Sequence, residues 1–155
     1  GPSFHFAATA TLYGVSLHER DPYLHAMSLA TMNTLLITNA SLGLLKLAAN
    51  SPAPNGESYG WPSGHAASSM AMATVIDEYY GWRWAAPAYV LAGCVSYSRI
   101  DNQEHDLSDV VFGVALGYVV ARVVCHRHQS QRVGRLLPLA AGRDGCLGVG
   151  WECRY

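Results

Sequence analysis

The sequence predicts an all-α fold, a bundle of about five helices followed by a short C-terminal β-hairpin. Three observations carry that prediction. Apolar residues recur at helical spacing through five stretches. Polar breaks containing Pro or Gly separate those stretches. Near the C-terminus alone, a Gly-Arg-Asp-Gly turn stands between two short apolar runs. The length of 155 residues fits one domain, and a hydrophobic content of 50% against 14% charged residues excludes disorder.

Gly1-Pro2-Ser3 reads as the remnant of a cleaved expression tag, which leaves residues 4–155 as a single domain. The first helix is expected from Phe4 to Leu17. His18-Glu19-Arg20-Asp21-Pro22 breaks it, with Asp21 suited to cap the next helix and Pro22 to its first position. From Tyr23 to Ala49 the only charge is Lys46, and Leu24, Met27, Leu35, Leu42 and Leu45 keep helical spacing. Asn50–Gly60, with Pro52, Pro54 and Gly56, is a loop. Pro62-Ser63-Gly64-His65 opens a third helix that Gly81 ends. A fourth runs from Trp84 to Ser98, with Pro87 in its opening turn. A fifth is expected from Leu107 to Cys125, and Leu136–Ala140 and Cys146–Trp151 are expected as the strands of the hairpin.

Charge excludes one class of partner. Ten Lys plus Arg against eleven Asp plus Glu leave no basic footprint for nucleic acid. No secretory leader pattern is visible. Ser28, Thr31, Asn33, Thr34, Thr38 and Asn39 interrupt the second helix. The uninterrupted apolar core of the fifth, Val110–Ala121, is about 12 residues, where a bilayer span wants about 20. Both features favour a soluble domain or one attached peripherally to a membrane surface. Cys94 and Cys125 read as buried small hydrophobes, and Cys146 and Cys153 can pair in an oxidising compartment. No cysteine pair has the spacing of a structural zinc site, and neither a metal nor a cofactor is expected.

Three separated clusters carry the chemistry. Lys46, the sole lysine, precedes the Pro52-Ala53-Pro54 loop. In Pro62-Ser63-Gly64-His65, Ser63 is placed to cap a helix, and Gly64 lets backbone approach an anion at the positive helix end. His65 in the first turn is placed to protonate a leaving oxygen. In the third cluster His105 and Asp109 are four apart, so a carboxylate can fix one imidazole tautomer and leave the other nitrogen as nucleophile or ligand. Arg99 adds a permanently charged fork for phosphate oxygens. Each cluster alone has an ordinary reading, as a snorkelling lysine, a capped helix start or a helix salt link.

Together, in this order and spacing, they resemble the type 2 phosphatidic acid phosphatase superfamily, related in fold to bacterial non-specific acid phosphatases and vanadium haloperoxidases. That family's pattern is Lys, six residues, Arg-Pro; then Pro-Ser-Gly-His; then Ser-Arg, five residues, His, three residues, Asp. The second and third motifs match completely, as Pro62–His65 and Ser98–Asp109, and the resemblance spans roughly Tyr23 to Ala121. The first departs: Ala53 stands where the family has Arg, and no Arg lies between Arg20 and Arg83.

The resemblance implies a metal-independent phosphatase acting on a phosphorylated small molecule or lipid, as a phosphomonoester or pyrophosphate. His105 would form a phosphohistidine, Asp109 would hold its ring and His65 would serve as acid and then base. Lys46, Ser63, Gly64 and Arg99 would hold the phosphate oxygens. It also implies an exported, periplasmic or membrane-associated protein. Ala53 leaves open a ligand-binding relative that does not hydrolyse phosphate, and the related haloperoxidases leave open vanadate bound at His105.

Overall fold

The computed structural model describes residues 2–56 and 58–140, with side chains described as far as Gln129. Five helices follow one another: α1 (Pro2–Glu19), α2 (Pro22–Ala49), α3 (Gly64–Tyr80), α4 (Trp82–Asp101) and α5 (Leu107–Ala140). The all-α bundle is as expected, and the element order matches.

The local stops are chemical. The Asp21 carboxylate accepts the Tyr23 and Leu24 amides at 2.8 and 3.2 Å, and Pro22 occupies the first helical position without leaving a donor unpaired. At the other end of α2, Asn50 turns left-handed (φ 41°) and returns its amide to the Lys46 carbonyl at 2.9 Å. Gly81, at φ 81°, ends α3 and begins α4 within one residue. Its carbonyl already accepts the Trp84 and Ala85 amides, so α4 starts at Trp82, before the expected Trp84, and Pro87 falls inside it.

One expectation for the C-terminal region changes. Leu136–Ala140, expected as a strand, ends α5. A helix already nucleated adds each residue for one more hydrogen bond, whereas a lone hairpin has no sheet to join. The turn Gly142–Gly145, the second strand Cys146–Trp151, and Cys153 lie outside the described residues.

Helix α3 is the centre of the bundle, packed most extensively on α4 and α5, and α2 lies against α1, α3 and α5. Two close approaches set the α3–α5 contact. A Cβ on Gly113 would stand 2.5 Å from the Ser63 carbonyl oxygen, and one on Gly117 would collide with the Ala67 carbonyl oxygen. The Gly113-x-x-x-Gly117 spacing therefore lets two backbones touch, as small-x-x-x-small pairs do. These contacts run in parallel register, so the N-terminal ends of α3 and α5 lie together. The C-terminal ends of α2 and α4 come to that same end of the bundle.

The interior mixes small hydroxyl residues with apolar ones such as Leu35, Leu42 and Val75, while many large apolar side chains lie outside. Thr9, Ser16, Ser28, Thr31, Thr34, Thr38, Ser63, Ser68, Ser69 and Thr74 are buried, while Leu44 and Leu47 are 70% and 68% exposed. Several of the hydroxyls bond back to a carbonyl of their own helix, for example Thr31 to Met27 and Thr74 to Met70, both at 2.8 Å. Most of the polar interruptions of α2 thus turn inward, with Asn39 donating to Leu35 and Ser68, and Leu36, Ile37, Leu44 and Leu47 turn outward. The bundle thus gives those interruptions an inward-facing place that a linear reading does not. Pro22–Ala49 and Leu107–Gln129 are both long and apolar enough to cross a membrane. Cys94 is a second correction: it is exposed, on a helix that buries only Ala85 and Ala92, whereas Cys125 is buried as expected.

Candidate active site

All seven sequence-predicted site residues lie at the end of the bundle where α2 and α4 finish and α3 and α5 begin. Lys46 is in the last turn of α2, Ser63 is the N-cap residue of α3, and Gly64 and His65 are its first two residues. Arg99 is in the last turn of α4, His105 in the connection that follows, and Asp109 in the first turn of α5.

Backbone bonds tie the clusters together. The Ser63 amide donates to the Asp109 carbonyl at 3.1 Å, which locks the second motif to the third. Trp61, two residues earlier, packs its ring on Phe112 of α5 with centroids 4.5 Å apart. The Ser63 carbonyl accepts the Ala67 amide as an N-cap residue should, but its hydroxyl makes no capping bond, contrary to the expected role. That hydroxyl is fully buried and unpartnered, and so are Arg99 Nε and His105 Nδ1. Gly64 has room around it: the nearest atom to a Cβ built there is Leu42 Cδ1 at 3.9 Å. Packing does not require glycine at that position, whereas close approach of a ligand to the backbone would.

Asp109 is 6% exposed and accepts the Asp106 amide at 3.0 Å and the Ser108 hydroxyl at 3.2 Å. His105 Nδ1 stands 3.5 Å from Asp109 Oδ2, an ion-pair separation longer than a hydrogen bond. The carboxylate is thus held by two donors beside the ring, which orients Nδ1 toward Asp109 and leaves Nε2 for chemistry. Burial first, and next the Arg99 guanidinium, hold His65 below the ordinary imidazole range, and Glu104 and His105 also act on it electrostatically. The two histidines therefore share one electrostatic site. Lys46 is within electrostatic reach of Asp109 and donates to the Tyr59 carbonyl.

Two residues of the site escaped the sequence reading. Tyr59 is left-handed (φ 64°), a conformation that costs a bulky residue roughly 1–2 kcal/mol and here presents its carbonyl to Lys46. Glu104 bonds Arg99 Nη1 at 2.6 Å. Its signal was an acid where a helix stop ordinarily places an apolar residue. Ala53 is 9% exposed, and a Cβ on Gly60 would stand 2.6 Å from its Cα, so the loop is folded tightly over the position where the family pattern has arginine.

Fold and site together define a helical bundle that gathers two histidines, a lysine, an arginine and a buried carboxylate at one end. The sequence model of the PAP2 superfamily matches residues 2–132, and the chain belongs to that superfamily. It is also 38% identical over 66 residues to the lipid A 1-phosphatase of Porphyromonas gingivalis, an alignment covering 41% of this chain and 15% of that protein. No solved structure matches.

Proposed function

We propose that this protein is a membrane-embedded phosphatase that hydrolyses a phosphomonoester, with a lipid phosphate as the substrate class, through a phosphohistidine. One observation carries the reading: Ser63 Oγ of the second motif and Arg99 Nε of the third are buried at one end of the bundle without hydrogen-bond partners, beside a His105 whose Nδ1 faces Asp109. Buried polar atoms ordinarily find partners, and a cluster of them is what an anion site requires. The named activity of the P. gingivalis relative supports the lipid class.

In the first step His105 Nε2 attacks phosphorus as the bond to the leaving oxygen breaks. His65 gives its proton to that oxygen, and Asp109 stabilises the charge on the attacking ring. In the second step His65 takes a proton from water, water attacks phosphorus, and the phosphorus–nitrogen bond breaks to release phosphate and His105. Lys46, Arg99, the Ser63 hydroxyl and the Gly64 amide hold the non-bridging oxygens, so that catalysis is positioning plus electrostatic stabilisation. Phosphate release from a micellar lipid phosphate and from soluble phosphomonoesters tests this. His105→Ala should lose at least about a thousandfold, by analogy with removing a nucleophile elsewhere. A wild-type protein silent on every phosphate ester overturns the proposal.

Charge placement and two helices long and apolar enough to cross a membrane support the membrane embedding in this proposal. Residues 23–45, 66–76, 84–98 and 110–121 hold no Asp, Glu, Lys or Arg, so charges gather at the two ends of the bundle. Arg20, Arg83, Arg122 and Arg127, with Arg132 and Arg135 further along α5, fall at the end opposite the site, against Lys46 and Arg99 at the site end. By the positive-inside rule the active site faces away from the cytoplasm. Single cysteines at Asn55 and Arg83, probed with a membrane-impermeant maleimide on intact cells, test this. Labelling at position 83 and not at 55 would reverse the orientation.

Ala53 favours one alternative, a relative that binds a phosphorylated ligand without hydrolysing it. Phosphate binding without turnover in wild type, unchanged by Ala53→Arg, would select it.

A further inference from the structure

We infer that Glu104 is a positioning residue that holds the Arg99 guanidinium so that its Nε–Nη2 edge faces the phosphate. This rests on the phosphate-site reading above. The Gln103 amide donates to the Ile100 carbonyl at 3.0 Å, the Glu104 amide donates to the Arg99 carbonyl at 3.1 Å, and Gln103 is left-handed at φ 56°. Those are the two bonds and the backbone turn of a Schellman stop.

In such a stop the residues in the places of Arg99 and Glu104 come together, ordinarily through an apolar contact. Here the contact is the 2.6 Å bond from Arg99 Nη1 to Glu104 Oε2. The helix stop therefore fixes where the carboxylate stands, and the carboxylate fixes one end of the guanidinium. With Nη1 engaged by Glu104, the edge of the planar guanidinium left for another ligand is the one that carries Nε and Nη2. Nε is buried without a partner, and Nη2 reaches only the Ser98 hydroxyl at 3.4 Å. The amide of His105 donates to the same Arg99 carbonyl at 3.2 Å. One short turn thus sets the arginine fork and the nucleophile in a common frame.

The position next to Ala53 adds weight to this device. With no arginine at 53, Arg99 is the site's only guanidinium among the described residues, and its orientation is not shared with a second fork.

The test compares Glu104→Leu with Glu104→Gln in the full chain in detergent micelles, by titration with inorganic phosphate and by kcat and KM for a phosphate ester. Leucine supplies the ordinary apolar contact of the stop but no acceptor for Nη1. Glutamine keeps the acceptor and drops the charge. Glu104→Leu should weaken phosphate binding by about tenfold or more, the scale of a lost charged hydrogen bond, and raise KM in proportion. Glu104→Gln should stay within about threefold of wild type. In Arg99→Ala, adding Glu104→Leu should cost nothing further.

Unchanged or tighter phosphate binding in Glu104→Leu would overturn the inference, because the contact would then be a helix stop alone or a competing anion. Arg99→Ala separates the two proposals. If it binds phosphate as wild type does, the site reading itself fails. If it loses phosphate while Glu104→Leu keeps it, only the inference about Glu104 fails.

Discussion

Gly113 of α5 lies directly against the carbonyl of Ser63, so close that a Cβ in its place would stand 2.5 Å from that oxygen. The residue that touches Ser63 is thus four positions beyond Asp109, and the Ser63 amide in turn bonds the Asp109 carbonyl. The distance between α3, which carries His65, and α5, which carries Asp109, is set by the absence of a side chain.

Alanine at Gly113 must push α3 and α5 apart, because the obstacle is backbone and cannot rotate away. Gly113→Ala should lower activity by at least about tenfold while the chain still folds, since a displacement of about 1 Å at a reacting centre can cost a hundredfold. Gly117→Ala meets the Ala67 backbone and should destabilise by roughly 1–3 kcal/mol, the usual penalty of overpacking. Thermal unfolding in detergent, read beside kcat, checks both.

Position 53 has its own prediction. Ala53→Arg should raise kcat/KM for phosphate esters by one to two orders of magnitude, the worth of about 1.5–3 kcal/mol for a charged hydrogen bond to an oxyanion. Ala53→Met, of similar length but uncharged, should give no gain. Equal responses from the two would mean that size at this buried position matters and charge does not.

As the proposed proton donor, His65 gives a pH signature. Since burial and then Arg99 hold His65 below its ordinary range near 6.5, kcat/KM should fall as pH rises through a midpoint under that value. The stability sign is opposite. With the folded pKa depressed, the unfolded chain takes up the proton first, so stability is present above about 6.5 and is lost as pH falls through the folded value. His65→Gln should therefore lose less stability than wild type between neutral and mildly acidic pH, measured by denaturant titration.

The stop of α4 predicts a stabilising change. Gln103 holds φ 56°, a conformation free of cost only for glycine. Gln103→Gly should stabilise the fold by about 0.5–1 kcal/mol after the extra entropy of glycine in the unfolded chain is subtracted. A lower unfolding temperature for this variant would show that the Gln103 side chain contributes something the backbone account omits.

The sequence alone determined the helix count, the caps at Asp21 and Gly81, and the motif residues, because periodicity and capping are local and the motifs are fixed by order and spacing. It could not assign the faces of α2: Ser28, Thr31, Thr34 and Thr38 count against a membrane span in a linear reading, and in the bundle they face inward and leave Leu36, Ile37, Leu44 and Leu47 outside. The same limit applies to Cys94, whose exposure depends on how little of α4 is covered. Only tertiary structure decided that the Ser63 hydroxyl would be left uncapped and buried, that Glu104 would take one end of Arg99, and that Gly113 and Gly117 would be the contact between two helices. Each of these is a relation between backbones distant in sequence or a choice among several partners for one polar group. Such choices depend on which faces meet, and a one-dimensional pattern specifies the faces without specifying their neighbours.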